Sequence, residues 1–277
     1  MLSVRYKRGF LRISENMEYE QMEKSRSIDV ALYSNVIFPF EKQNNPLVDV
    51  RKMSKIVVQK CKTLLIDLHK TEDEIFQEIH KNTIYKINRA MKRDPITYSE
   101  IESPTDKDLE VFCSFYNNFA KQKKIPPANL EKLQGLRNQH SIILSYIKDE
   151  EERILCCHVH YFVKDSAVLL YSASGRFDNK GMKNLIGRAN RYLHWRDILK
   201  FKNSGLNWYN FGGLFVDPST SETNRINQFK KEFGGIEVNE WKLVHACSLI
   251  GRIVAFAYMW KIRKRPEYLR GKIVYQP

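Results

Sequence analysis

The apolar positions change period repeatedly along the chain, and the changes mark its elements. "CKTLLIDL" (61–68) is a short strand-like run. Thr71 with Glu74 three residues on has the capping-box pattern, and a helix is expected from there to about Arg93, with Phe76, Ile79, Thr83, Ile87, Ala90 and Met91 at helical spacing. Pro95 ends it and "ITYSEI" (96–101) reads as a strand. Helices follow in "SPTDKDLEVFCSFYNNFAKQKK" (103–124) and "PANLEKLQGLRNQ" (127–139). Three strand-like runs, 141–149, 153–163 and 167–174, are separated by charged turns and predict an antiparallel meander. The loop "GRFDNKGMK" (175–183) leads into a helix over 184–203, then the strand "GLNWYNFGG" (205–213) and a short helix closed by Gly234-Gly235. Residues 1–60 carry weak patterning, with a turn-like "EKQNNPLVD" at 41–49. At the other end, "LVHACSLIGRIVAFAYMW" (243–260) predicts a core helix, followed by the basic "KIRKRPEYLRGK" (261–272).

Helix, meander, helix, strand, helix is an α+β order with a mixed, mostly antiparallel central sheet flanked by helices. At 277 residues and 43% hydrophobic content the chain has material for one large domain or two small lobes. No run of about eighteen uncharged apolar residues occurs, and His245 and Arg252 interrupt the longest apolar stretch, so a bilayer span is not expected. The N-terminus has no apolar centre of a signal peptide, which makes the cytoplasm the expected compartment, with a peripheral place at the inner membrane face through the basic tail as a variant. Five cysteines, only Cys156 and Cys157 adjacent, fit neither a zinc knuckle nor a redox pair. Lys and Arg exceed Asp and Glu by 46 − 32 = 14 charges, which points to anionic partners: phosphates, RNA or an acidic membrane face.

Several residues are candidates for chemistry. Phe229 and Phe233, four apart, can pack a short helix so that Lys230 points into a cleft, while Gly212 and Gly213 allow close backbone approach at the preceding strand end. Such a fixed cation suits a donor phosphate or the oxyanion formed when an amine attacks a carbonyl. His194 and Asn190 are i and i+4 on one helix face beside Trp195, and a histidine titrates where a proton acceptor for that amine is needed. Tyr171 shares a strand face with Ala173 and is a candidate cleft residue. Lys86 and Arg89 belong to the cations crowding the second half of the 71–93 helix, which read either as a solvated, dipole-complementing face or as a phosphate-binding ridge. His158 and His160 share a strand face, but no third metal ligand is apparent near them in sequence, so sheet packing is the expectation. No Walker sequence, nucleophile elbow or catalytic-cysteine signature is present.

Taken together, "LLIDLHKTEDEIFQEIHKNTIYKINRAMKRD" (64–94), "LIGRANRYLHWRDILKFKNSGLNWYNFGG" (185–213) and "INQFKKEFGG" (226–235) resemble three signatures of the Fem family, the peptidoglycan interpeptide-bridge aminoacyltransferases within the GNAT acyltransferase superfamily. The likeness is strongest to short relatives associated with surface-polysaccharide synthesis and covers roughly residues 60–240. It implies two GNAT-like lobes around a cleft: an abbreviated N-terminal lobe (1–99), a catalytic lobe (100–247) and a C-terminal helix with its tail (248–277). It also implies direct transfer of an acyl or aminoacyl group to an amine, without a metal, from acyl-coenzyme A or aminoacyl-tRNA. Arg176, Lys180 and Gly181 fall where GNAT proteins bind a donor pyrophosphate, although the spacing departs from the usual Arg-x-x-Gly-x-Gly/Ala, and Lys230 falls at the family's Phe-Lys. The expected acceptor is a small or lipid-linked amino sugar in envelope synthesis. Two other readings stand beside it: a tRNA-dependent transferase acting on a peptidoglycan precursor, and a non-catalytic RNA-binding or membrane-surface module.

Overall fold

The computed structural model of the protein describes residues 2–18, 25, 27–36, 56–175, 180–216, 218 and 220–266. Among them are ten strands and seven helices, an α+β fold with a mixed, mostly antiparallel sheet arrangement. They form two compact units that interleave in sequence: one holds Met1–Thr63, Gly213–Asn224 and Val238–Pro277, the other Leu64–Gly212 and Arg225–Glu237.

In the first unit β1 (Ser3–Arg8) and β2 (Leu11–Asn16) form an antiparallel hairpin. β2 runs parallel to β3 (Val30–Val36), which pairs antiparallel with β10 (Ile236–Ala246). β1, β2 and β3 come from the segment whose apolar pattern is weak, and the turn-like 41–49 lies outside the described residues. The 243–260 stretch is not one helix. Leu243 to Ala246 complete β10, and α7 (Leu249–Ile262) begins only after Ser248, whose Oγ accepts the Gly251 N–H at 3.0 Å.

Asp29 fixes that junction. Its carboxylate accepts the Arg12 backbone N–H and Nε and the Arg12 Nη2, each at 3.0 Å, and the Ser248 hydroxyl at 2.8 Å. The Arg12 hydrogen bonds hold its pKa well below the usual carboxylate range. Its carbonyl accepts the Cys247 N–H, and α7 approaches so closely that a Cβ on Gly251 would lie 1.8 Å from that carbonyl oxygen. Gly251, Ala255 and Ile262 face inward, with Ala255 and Ile262 packed on Val57 and Ala246. The opposite face is exposed, so α7 is not the all-round core helix that its apolar composition suggests.

In the second unit β5 (Ile96–Ile101), β6 (Ile142–Asp149), β7 (Ile154–Val163) and β8 (Ser166–Ser174) form the expected antiparallel succession, and β9 (Trp208–Leu214) joins β8 in parallel. β4 (Ile56–Asp67) is longer than its sequence signal and crosses from one unit's residues to the other's. α3 (Asp106–Lys123) and α4 (Leu130–Arg137) follow β5, each with its N-cap in place at Thr105 and Asn129. The single helix expected over 71–93 is two. α1 (Glu72–Glu78) starts with the Thr71/Glu74 capping box, Ile79 turns extended, and α2 (Lys81–Arg93) restarts on His80. The His80 N–H donates to the Glu232 carbonyl at 2.8 Å, and its Nδ1 accepts the Asn82 N–H, so the break is a docking point rather than a frayed turn.

Gly251→Ala is expected to cost about 2–4 kcal/mol of stability, because the new methyl meets backbone rather than a mobile side chain. Chemical denaturation checks this, and a loss below about 0.5 kcal/mol would mean that α7 is seated otherwise.

Candidate active site

β7 presents His158 and His160 on one face and Cys157 and Val159 on the other, as strand alternation requires. On β8 the pairing jumps from Val159↔Tyr171 to His160↔Leu169, leaving Leu170 as a bulge. The parallel register between β8 and β9 runs only from Ser166↔Trp208 to Val168↔Asn210, whereas β8 continues along β7 to Ser174. At that point the Gly212 N–H turns to the Asn210 side chain, 2.7 Å away, instead of extending the ladder. Gly212 has φ +71°, and a Cβ there would sit 3.2 Å from the Leu169 carbonyl oxygen. The β8–β9 ladder therefore ends just before the bulge.

α5 (Lys180–Asn203) lays a line of buried polar groups over the histidine face. His158 Nδ1 lies 2.6 Å from Asp197 Oδ2, and its Nε2 lies 3.2 Å from Asn190 Oδ1. The Tyr209 hydroxyl on β9 bridges His194 Nδ1 at 3.0 Å and His160 Nε2 at 3.2 Å. His158, His160, His194 and Asp197 are each at most 2% exposed. Burial pushes His194 and His160 well below the ordinary imidazole pKa, so both rings are neutral. Burial raises the Asp197 carboxyl, and the hydrogen bond from His158 opposes that rise.

α6 (Ser221–Lys231) brings Lys230 to this line. Phe229 and Phe233 pack at 5.5 and 5.3 Å from the His194 ring, and Phe211 of β9 at 4.9 Å. Phe233 is fully buried, so the two phenylalanines do anchor the helix as their spacing suggests. Lys230, half-buried, is near enough that its charge helps depress His194, as does Arg191. Arg191 stacks on Phe229 at 4.8 Å, and its Nη2 donates to Glu232 Oε2 at 2.9 Å. The Thr83 hydroxyl donates to the same oxygen at 2.7 Å, and Arg191 Nε donates to Thr83 Oγ1 at 3.2 Å. The chain then leaves α6 through Gly234 and Gly235, both at positive φ.

The other sequence candidates fall in different places. Tyr171 packs at a tilt against Tyr116, ring centroids 4.6 Å apart, on the sheet face opposite His158. Trp195 packs on Phe76 and lines a cavity of about 650 Å³ with Glu72, Tyr98, Glu100, Tyr192 and Arg196, a lining that includes neither Lys230 nor His194. Arg89 lies 3.9 Å from Asp94, which also receives both Arg188 donors, and Lys86 is half-buried on the same helix, α2. Gly213 is exposed within β9 and Gly181 in the first turn of α5; Arg176 and the Lys180 side chain lie outside the described residues. Asp197, Tyr209, Arg191, Glu232 and Thr83 lie within the three stretches that carry the family resemblance, but no local pattern marks them individually for chemistry. One signal was available: Asn190, His194 and Asp197 stand at i, i+4 and i+7 on one helix face.

His158, His194 and Asp197 also offer ligand atoms within 4.8 Å of one another. The third group absent from the local sequence thus comes from α5. His158 and Asp197 are already paired at 2.6 Å and the second His158 nitrogen faces the Asn190 amide oxygen, so a hydrogen-bonded network fits the geometry better than a metal centre.

No family model and no curated protein matches the chain. Solved structures do. FemX superposes with a TM-score of 0.61 at 12% identity, covering 95% of this chain and 86% of its own. The C-terminal domain of a putative lysylphosphatidylglycerol synthetase from Agrobacterium fabrum gives 0.53 at 12% identity, covering 98% and 88%. A conserved protein of unknown function from Bacteroides thetaiotaomicron gives 0.51 at 7%, covering 87% and 81%. The chain therefore has the GNAT-related α+β fold that its resemblance implies; at these identities the likeness is one of fold.

The neutral histidines give stability a defined pH dependence. On unfolding, His160 and His194 regain their ordinary pKa of 6.5, so the unfolded chain takes up protons below that pH and the folded chain does not. Stability is expected to fall between pH 7.5 and 5.5, each histidine contributing up to about 1.4 kcal/mol per pH unit. Replacing His160 by Phe, whose ring can pack on Phe162 and Phe201, should remove one histidine's share of that slope. Denaturation at several pH values reads it, and an unchanged slope would mean that His160 is protonated in the folded state.

Proposed function

We propose that the protein is an N-acyltransferase that moves an acyl or aminoacyl group directly from an activated donor to an amine. The observation carrying this reading is the end of the β8–β9 ladder beside the Leu170 bulge, with Lys230 held on α6 close to the buried His194. A ladder that ends leaves backbone room for an extended donor, and a half-buried cation there stabilises negative charge more strongly than one in water. The shared fold with FemX and with a domain of a lysylphosphatidylglycerol synthetase, whose name specifies an aminoacylated phospholipid, supports the same class.

In this reading the amine nitrogen attacks the donor carbonyl, forming the C–N bond. The tetrahedral oxyanion is met by Lys230, and collapse breaks the C–S bond of a thioester or the C–O bond of an ester. The proton lost by the amine leaves with the thiol or hydroxyl product. His194 is buried and made less basic by its surroundings, so we assign it a positioning role: it locks α5, β9 and α6 through Tyr209 and the phenylalanines. Acyl-coenzyme A and aminoacyl-tRNA are the two donor classes, and an amino sugar of the cell envelope is the acceptor the reading favours. The exposed Arg89, Lys92 and Arg93 on α2 suit a tRNA backbone if the donor is of that kind.

Native mass spectrometry of the purified chain, offered a panel of acyl-coenzyme A species and charged tRNAs, tests the proposal. One donor class should be retained, and Lys230→Ala should weaken that retention about tenfold or more, the loss typical of one charge-assisted contact. Retention of neither class by the wild type would overturn the transfer reading. Retention untouched by Lys230→Ala in a correctly folded variant would take Lys230 out of the site.

A further inference from the structure

α7 carries a stripe of large apolar side chains in water. Leu249 is 75% exposed, Ile253 70%, Phe256 63% and Trp260 59%, with Ile250 at 47% beside them. At 100° per residue, positions 249, 253, 256 and 260 fall on one face, roughly opposite Gly251, Ala255 and Ile262. Isolated exposed apolar residues are ordinary; a continuous row over three turns of one helix is not. The row cannot be buried by rolling the helix, because Gly251 is set against the Asp29 carbonyl and Ser248 is bonded to the Asp29 carboxylate.

Charge identifies the complement. From Leu249 to Pro266 the sequence contains Arg252, Lys261, Arg263, Lys264 and Arg265 and no Asp or Glu. All five cations are exposed. Arg252 and Lys261 flank the stripe on either side at helical spacing, and the other three follow its end, where Arg263 stacks on Trp260 at 4.6 Å. An apolar row edged by cations, with an indole at the boundary, matches an anionic lipid surface, which offers hydrocarbon beneath negative headgroups. A nucleic-acid backbone would use the cations and leave Leu249, Ile253 and Phe256 without partners. At 14 residues α7 is too short to cross a bilayer, and no helix among the described residues is long and apolar enough to do so.

We propose that α7 lies in the plane of an anionic membrane, its 249/253/256/260 face inserted at the headgroup boundary and its basic end on the headgroups, so that the chain works at a lipid surface. The proposal does not depend on the transfer reading.

The full chain would be sedimented with vesicles of phosphatidylcholine alone or mixed with phosphatidylglycerol. The wild type should bind the mixed vesicles and bind the neutral ones at least tenfold more weakly, with the difference falling as salt rises. Phe256→Ser with Trp260→Ser should lower binding to mixed vesicles by tenfold or more, and so, separately, should Lys264→Glu with Arg265→Glu. All four positions are solvent-exposed, so circular dichroism should match the wild type. Failure of the wild type to bind mixed vesicles, or binding that ignores the apolar substitutions, overturns the proposal. So does a self-associated chain in velocity sedimentation that the apolar substitutions convert to monomer without any vesicle binding, since the face would then belong to a second copy; tRNA binding without vesicle binding would give the cations to nucleic acid.

Discussion

The second unit depends on one contact in its dry interior, the 2.6 Å approach of His158 to Asp197. A carboxyl with no exposure would be costly alone, and an imidazole beside it would be costly unpaired. Together they satisfy one another only when α5 sits over β7 in a single register, because a helix displaced by one residue would carry Asp197 to another face. Asn190, one turn before His194, then falls on the second nitrogen of His158. The pairing is thus a specifying device more than a stabilising one: apolar groups of the same volume would pack as well but would tolerate several registers.

From that registered helix the geometry propagates to α6. His194 and Arg191 come from the same stretch of α5; the first supplies a ring face for Phe211, Phe229 and Phe233, the second an ion pair to Glu232. Thr83 closes the triangle from α2, and the His80 N–H takes the Glu232 carbonyl. Lys230, the one cation proposed to meet the reacting carbonyl, sits between two anchored positions, Phe229 and Glu232, on a short helix that propensity alone would not hold. Its usefulness rests on groups three elements away, and truncating any of them would misplace it without touching it.

Much of this was legible in the chain. The meander, the caps at Thr71 and Thr105, the glycine stop after α6 and the anchoring by Phe229 and Phe233 follow from period, cap chemistry and i, i+4 spacing, all local quantities. What escaped was non-local. β1 to β3 are short, part-exposed strands, the antiparallel partner of β3, β10, lies some two hundred residues away, and the end of β10 falls in an apolar run that reads as helix from its start. The break between α1 and α2 is invisible because Phe76, Ile79 and Thr83 keep helical spacing across it, while its cause, the Glu232 carbonyl, belongs to the other end of the unit. Asp197 shares a helix face with Asn190 and His194, but only the fold shows that this face meets the strand histidines.

α7 shows the same limit from the other side. Its apolar composition argues for a core helix, and composition cannot say which face the core takes. Here the choice is made by the smallest residue in the helix. Gly251 lets the axis come within contact of Asp29, so the inward face is the one with Gly251 and Ala255, and the bulky residues are left outside. Burying the bulky face instead would gain apolar area, yet it would break the Ser248 hydrogen bond to Asp29 and push large side chains against the Asp29 carbonyl that Gly251 now meets. Backbone at that distance leaves no room for a larger side chain, so the bulky residues cannot take the inward face without moving the helix axis. An exposed row that the interior enforces in this way is a fixed surface, and its chemistry can be read as directly as that of any pocket.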